Sequence, residues 1–554
     1  MAYLHKRISK GIEYWSLRES KRINGKPTPI VIENFGNSKA FAEKLMNAHN
    51  ENKILKSYSH GEVHSLMKIS ERLGIERILD SVLKPQKKDS LSRSRSLLLI
   101  ALQSICSPGS KRSLNSWIKT TTLPYDYELP LKSLTSDHFW KQMNDITENE
   151  LARAEDAIMN KILSIYDFGL EKIGLDYTNY YTYIDSNNEK CNIAKRGRNK
   201  QKRHDLRQYS LAIITTKEMG LPLCSFVYEG NKNDQTAFSE YMQILKRRIP
   251  NYDPQQITLI FDGGGNNKDN LKNIETHYIC SFSLNSCKHL YDIDLSKYEE
   301  VKLSDKTVKA YRLASEVWGV KRECILMYSK SLYIGQEKEL NGNINAAIVL
   351  LKEYNKQLSN PKSRISKNPD SLKNKIKTIL SKKYLDTIIE TRITENDDST
   401  LCIEYLINAK NKDDIAHKNF GKKLLISDRE DWSTAEIIRT YREQDVLEKI
   451  FRSTKEDDRF SIQPQYHYTD QKIRVHIFCC LLGLTLATIL HKEAIRQGYD
   501  GSRNNMLDTL SNIRRCWIKD RDSSKASYVL EAMDDEQESL WRIVQNINKV
   551  DSTL

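Results

Sequence analysis

Between residues 3 and 35 apolar and polar positions alternate, and Asn24-Gly25 within INGKP is a dipeptide favoured in tight hairpins, so the pattern predicts a strand pair. From about 60 to 165 the period lengthens. EVHSLMKISERLGIERILDSVL, RSRSLLLIALQSIC and ENELARAEDAIMNKILSIYDFG place apolar residues three and four apart, which predicts helices. No clean helix-turn-helix stands out, and the periodicity suits a DNA-binding bundle or a structural one. From 172 short β-rich runs take over: IGLDYTNYYTYI, QYSLAIITT and LPLCSFVYEG. A helix, NDQTAFSEYMQILKRRI, opens on capping Asn and Asp residues, and QQITLIFDG and HYICSFSL follow as strands. Three strands, a helix, then a strand is an α/β order.

Residues 286 to 424 mix strands (KAYRLASEVWGVKRECILMYS), a helix near 340 to 358 and the polar segment NPKSRISKNPDSLKNK, the composition of an insertion. A helix around YREQDVLEKIFRSTK comes next, then an apolar helix from about 471 to 497. The tail carries an acidic run, EAMDDEQES, expected on a solvated helix face. No internal repeat is present. These shifts divide the chain into a hairpin module (1–59), a helical segment (60–165), a first core segment (166–285), an insertion (286–424), a second core segment (425–500) and a C-terminal segment (501–554).

At 554 residues the chain exceeds what one core organises. Its 87 Lys and Arg against 73 Asp and Glu leave a formal charge of +14, which favours a polyanionic partner. Ten cysteines include no C-x-x-C pair, so neither a zinc ribbon nor a disulfide framework is supported, and a reducing cytoplasm suits them. The opening MAYLHKRISKGIEYW has no apolar signal core, so the protein is expected to stay inside the cell. The run VHIFCCLLGLTLATIL, between Arg474 and His491, is short for a membrane span and predicts a buried core helix.

Against this background a few carboxylates need explaining. Asp176 interrupts the first core strand and Asp262 ends the fourth, and burying a carboxylate in an apolar strand is unfavourable unless a cation or partner compensates. Either could be simple turn chemistry; Asp262-Gly263 alone is an ordinary strand ending. In YREQDVLEKIFRSTK, Tyr441, Glu448 and Lys455 recur every seven residues, which on a helix returns to nearly one face. Such a face is ordinarily just solvated. Asp176, Asp262 and Glu448 brought together would instead form a hard-oxygen cluster suited to two Mg²⁺ or Mn²⁺ ions and phosphodiester chemistry.

In order along the chain, LDYTNYYTYI, RHDLRQYSLAIITTKEMGLPLCSFVYEGNKNDQTAF, LIFDGGGNN, EVWGVKR and YREQDVLEKIFRSTK resemble the DDE transposases of bacterial insertion sequences. The likeness is to the branch with a Tyr-x2-Arg-x3-Glu-x6-Lys signature, spans about 170 to 490, and extends to the opening YLHKRISKGIEYWSLRESKRINGKP. It implies an RNase H-like (retroviral-integrase-like) α/β catalytic core with a mixed strand and helix insertion before the catalytic Glu, preceded by a β-hairpin and a helical domain. It further implies a catalytic and metal-binding triad of Asp176, Asp262 and Glu448, two Mg²⁺ (or Mn²⁺) ions, and double-stranded DNA, both element ends and target, as partner. A homodimer or larger synaptic complex, a bacterial nucleoid-associated location and no nucleotide cofactor complete the expectation. The signature's Tyr, Glu and Lys match Tyr441, Glu448 and Lys455, while its Arg position holds Gln444. Arg442, adjacent to the signature Tyr, and Arg452, one turn beyond Glu448, are the cations able to replace that Arg on a DNA phosphate.

The loop KRGRNKQKRHDLR carries Lys195, Arg196, Arg198, Lys200, Lys202, Arg203 and Arg207, a charge run that is either a solvated loop or, beside a DNA-cutting site, a phosphate contact. EGNKNDQTAF offers Gly230-Asn231 for a turn and Asp234 as a cap. DGGGNN lacks the G-x-x-x-x-G-K-[ST] of a triphosphate cradle, so its glycines are expected to turn the backbone away from the site. Trp318 and Trp432 are either core aromatics or stacking platforms for an extruded base. Two other functions stay open: a nuclease of the same fold without strand transfer, and a domesticated DNA-binding protein that has lost catalysis.

Overall fold

A computed structural model describes the chain except residues 1, 24–25, 50–52, 86–90, 198–202, 250–251, 305, 366–367, 396–399, 444–454, 456–458, 464–465, 521–525 and 548–554. The chain folds into two units, the first made of residues 1–72, 111–136 and 490–554, the second of 73–110 and 137–489.

In the first unit, β1 (Ala2–Ser9), β2 (Ile12–Ile23) and β3 (Lys26–Asn37) form an antiparallel sheet in that order, three strands where the alternation predicts two. The additional turn is Lys10-Gly11, both in the left-handed region at φ 50° and 74°, the geometry of a two-residue hairpin loop. β4 (Lys53–Ser59) pairs with Arg514–Asp520, which pairs in turn with Ala526–Leu530. The C-terminal segment is therefore woven into this unit, and the acidic run opens the helix Asp535–Asn546. Glu493, fully buried, is held by Arg72 at 3.2 Å and Arg496 at 3.3 Å.

The second unit is a mixed α/β fold on a ten-stranded mixed sheet. Its strands are β5 (Lys172–Thr182), β6 (Lys195–Arg196), β7 (Arg207–Thr216), β8 (Pro222–Glu229), β9 (Thr258–Phe261), β10 (His277–Phe282), β11 (Glu299–Lys302), β12 (Thr307–Val317), β13 (Val320–Tyr328) and, after the separate hairpin of β14 (Ile389–Glu395) and β15 (Leu401–Ile407), β16 (Lys422–Ser427). β5, β7 and β8 run antiparallel; the helix Asp234–Arg248 then crosses over, and β9 and β10 lie parallel to β5. The order β8-β7-β5-β9-β10 results. The sheet continues through β16, β13, β12 and β11, so strands of the expected insertion extend the core sheet. β7 is buried from Gln208 to Thr216, which explains its unbroken apolar run: both faces are covered.

The rest of the insertion has a core of its own, in which Leu340, Leu351, Leu372, Leu385, Ile403 and Phe420 pack together. Its first helix, Lys330–Leu358, starts a full ten residues before the expected boundary, capped by Ser329. The apolar run lies in the helix Asp470–Arg496, the one helix among the described residues long and apolar enough to cross a membrane; 94% of its most apolar window is buried inside the protein. Gly483 is where that helix meets the helix Arg93–Cys106 most closely, since a Cβ there would stand 2.6 Å from the carbonyl oxygen of Ala101.

Candidate active site on the carboxylate edge of the sheet

β5 and β9 are parallel neighbours whose last paired residues are Leu175 and Phe261. The next residues are Asp176 and Asp262. Side chains alternate along a strand, so Leu175 and Phe261 turn to one face, where both are fully buried, and the two carboxylates turn to the other at adjacent positions. Asp176 is half-buried and Asp262 exposed. Asp262 stands at the mouth of a short 3-10 turn, Gly263–Gly265.

Asp262 is held by two hydroxyls. The phenol of Tyr441 donates to its Oδ1 at 2.5 Å, and Ser281 Oγ, on β10, donates to the same oxygen at 3.4 Å while accepting from Gly263 N at 3.1 Å. Tyr441 sits in the last turn of the helix Thr434–Arg442, with its ring buried among Ile260, Ile279, Leu425, Ile437 and Ile438. Burial, and then the Asp262 charge, push its pKa well above the usual phenol value, so it remains a donor at neutral pH. The ammonium of Lys423, on β16, lies 4.6 Å from the ring centroid. Tyr441 was expected on a DNA phosphate. In this structure its phenol donates to Asp262, and the helix buries this face against the sheet.

Glu448, Gln444 and Arg452 lie outside the described residues. Lys455 is described and stands in a turn. Its ammonium is 5.7 Å from the ring centroid of Tyr180, which shares a strand face with Asp176 four residues earlier on β5. Arg442 is half-buried, and its Nη1 is buried without a hydrogen-bond partner.

The basic loop divides by role. Arg207 donates to the carbonyls of Ala194 (2.7 Å), Asp185 (2.9 Å), Asn188 (3.0 Å) and Cys191, which makes it the anchor of the 185–194 segment. Arg203 forms a two-pronged pair with Asp205 at 2.9 and 2.8 Å, so much of its charge is already met. Lys195 and Arg196 are exposed, Arg196 donating to Ser186 Oγ at 3.0 Å. Arg198, Lys200 and Lys202 lie outside the described residues.

Sequence reasoning missed the clamp behind the glycine turn. Asn233, not Asp234, caps the helix Asp234–Arg248. The Asp234 carboxylate accepts from Tyr228, and a Cβ on Gly264 would stand 3.5 Å from its Oδ2. Gln235 Nε2 donates to the Asn266 carbonyl at 2.7 Å, and Asn270 Nδ2 donates to the carbonyls of Gln235 and Gly265 at 2.8 and 2.9 Å. The turn after Asp262 is thereby tied to the crossover helix. Gly230 also has a spatial reason: a Cβ there would lie 1.9 Å from the Gln208 carbonyl oxygen. Trp318 occupies the β12–β13 turn at φ 53° and meets Phe282 edge-on at 4.8 Å, while Trp432 carries Lys172 and Arg429, each 4.8 Å from its centroid.

In the first unit, His60, His64 and Asp126 bring one ligand atom each within 4.8 Å of one another. Burial lowers the His60 pKa to about 3 and lowers that of His64 as well. His60 Nδ1 is 2.8 Å from Thr122 Oγ1, and Asp126 pairs with Arg515. Two imidazoles and one carboxylate suit a borderline transition metal better than Mg²⁺. The Asp176 and Asp262 pair is the hard-oxygen arrangement.

No protein-family model matches this chain, and no curated protein matches it. Among solved structures it is similar to piggyBac transposase in a cryo-EM synaptic complex with hairpin DNA, at 8% identity and a TM-score of 0.38, over 81% of this chain and 79% of that one.

Proposed function

We propose that this chain is a DDE-type DNA transposase of the insertion-sequence kind, which cuts the ends of its element and joins them to target DNA. The observation that carries the reading is the register of β5 and β9, which brings Asp176 and Asp262 to adjacent positions one step past their last pair. Three antiparallel strands, a crossover helix and two strands parallel to the first are the arrangement of an RNase H-like core, which supports the same reading. So does the order of the sequence motifs, including Glu448.

Asp176 and Asp262 offer hard oxygen donors of the kind divalent ions prefer, from adjacent strand positions, and Glu448 is the third proposed ligand. Two Mg²⁺ or Mn²⁺ ions bound there would supply activation of the attacking oxygen and stabilisation of the leaving one. Tyr441 fixes the Asp262 carboxylate by holding Oδ1 as a donor. Ser281 restrains the same oxygen and the Gly263 amide together. Lys423 places positive charge beside Tyr441, where a DNA phosphate is attracted. Lys455, Lys195 and Arg196 are the described cations proposed to hold the backbone farther from the cut, and two copies of the chain are proposed to bring two element ends together.

Glu448→Gln tests the assignment. Cleavage of the element's end in Mg²⁺ is expected to vanish while end binding in EDTA is retained. A variant that cuts at the wild-type rate would refute it. Joined product in the wild-type reaction separates a transposase from a nuclease.

A further inference from the structure

Two cavities in the second unit share Lys383 in their linings. The first, of about 330 Å³, is lined by Ser281, the residue whose hydroxyl reaches Asp262, and by Lys423. Tyr291, Tyr384 and Phe420 contribute aromatic rings to its wall. The second, of about 1100 Å³, lies within the insertion, where exposed Lys377, Lys382, Lys383 and Arg392 outnumber Asp386 and Glu390. Lys422 differs from these lysines: it is buried and donates to the carbonyls of Tyr291 and Ile293, so it braces the wall.

We propose that these two cavities together form a track for one strand of DNA, running from the reacting end at Asp262 across the insertion. This rests on the reading of Asp176 and Asp262 as a DNA-cutting site. A cationic trough with aromatic walls is the combination that binds single strands, phosphates on the charges and bases on the rings. The track implies that the strands separate at the element's end before or during cutting.

The test is binding of the full-length protein, in EDTA, to a labelled oligothymidylate and to a duplex of equal length, followed by fluorescence anisotropy over a salt series. Lys377→Gln, Lys383→Gln and Arg392→Gln are combined in one variant, and all three side chains are on the surface. The expected result is at least about a tenfold loss for the single strand with a salt slope lower by about 2, at roughly 0.7 per phosphate, and less than about a twofold loss for the duplex. Unchanged single-strand affinity, an equal loss on duplex, or no single-strand binding by the wild type would overturn the track. Tighter binding of an RNA strand would overturn its assignment to DNA.

Photocrosslinking of the wild-type protein to a thiothymidine strand provides a readout independent of the variant's folding. Adducts are expected on the lining of the two cavities, at 281–291, 336–343, 373–393 or 419–424, and adducts confined outside these segments would contradict the proposal. Failure of the cutting reading shows separately, as absence of Mg²⁺-dependent cleavage by the wild type.

Discussion

Tyr441 donates its phenolic hydrogen to Asp262 Oδ1 at 2.5 Å, across 179 residues of sequence. The bond joins the helix Thr434–Arg442 to the carboxyl end of β9 and makes the phenol a positioning group for a proposed metal ligand. Tyr441→Phe removes the bond and keeps the ring. Hydrogen bonds to charged groups contribute about 1.5–3 kcal/mol, so cleavage is expected to slow by about tenfold to a hundredfold. Global stability, followed by urea unfolding, should fall by no more than about 3 kcal/mol, the worth of the lost bond, because the packing ring remains. A Phe variant that cuts like wild type would separate Tyr441 from the chemistry.

Arg207 and its neighbours make opposite predictions. Arg207→Ala removes the guanidinium from four loop carbonyls, of which that of Asp185 keeps a backbone donor, the Asn188 N–H at 3.1 Å, so limited proteolysis is expected to cut within 185–197 sooner than in wild type. Lys195→Ala with Arg196→Ala should leave proteolysis unchanged and lower the salt slope of duplex binding by up to about 2, at roughly 0.9 per phosphate contact. The reverse pattern would exchange the two roles.

Gly230→Ala is expected to destabilise the second unit. The added methyl would stand 1.9 Å from the Gln208 carbonyl oxygen, where β7 backbone cannot yield cheaply. Overpacking of this kind costs about 1–3 kcal/mol or more, to be read as a lower urea midpoint at unchanged slope. A midpoint equal to wild type would mean that this loop and β7 separate freely.

Acid should weaken the first unit. Burial lowers His60 to about 3, against an ordinary value of 6.5, and the same cause lowers His64. The unfolded chain takes up a proton that the native imidazole refuses, so stability is full above about pH 6.5 and declines as pH falls toward 3. Around His60 the charges are mixed, with Arg515 opposing its protonation and Asp126 favouring it. Between pH 7 and 4 thermal unfolding is expected to move to lower temperature by several degrees, with a shallower dependence in His60→Gln. Identical profiles in wild type and variant would remove His60 as the cause.

Much of the sheet was legible because its strands declare themselves locally. LAIITT and TLIF are unbroken apolar runs, and an Asp following such a run stands out against the cost of burying it. Asn233 and Asp234 likewise announced the crossover helix. Long-range pairing was not legible: nothing in KILKSYS indicates that it meets RRCWIKD, and nothing in KKLLIS places it between β10 and β13. Lys10 in a left-handed turn hid the first hairpin, since lysine is not a residue that such turns select. A phenol's partner likewise depends on the fold, so Tyr441 was readable as a polar residue near Glu448 but not as a donor to Asp262.

The most direct test is excision from a plasmid that carries the gene between its own flanking sequences, scored for rejoined donor and released element, with wild-type protein, Asp176→Asn or Asp262→Asn. Excision by the wild type and by neither variant, with all three proteins binding the flanks equally, is the predicted result. Excision by either variant at the wild-type level would contradict a metal site built on Asp176 and Asp262.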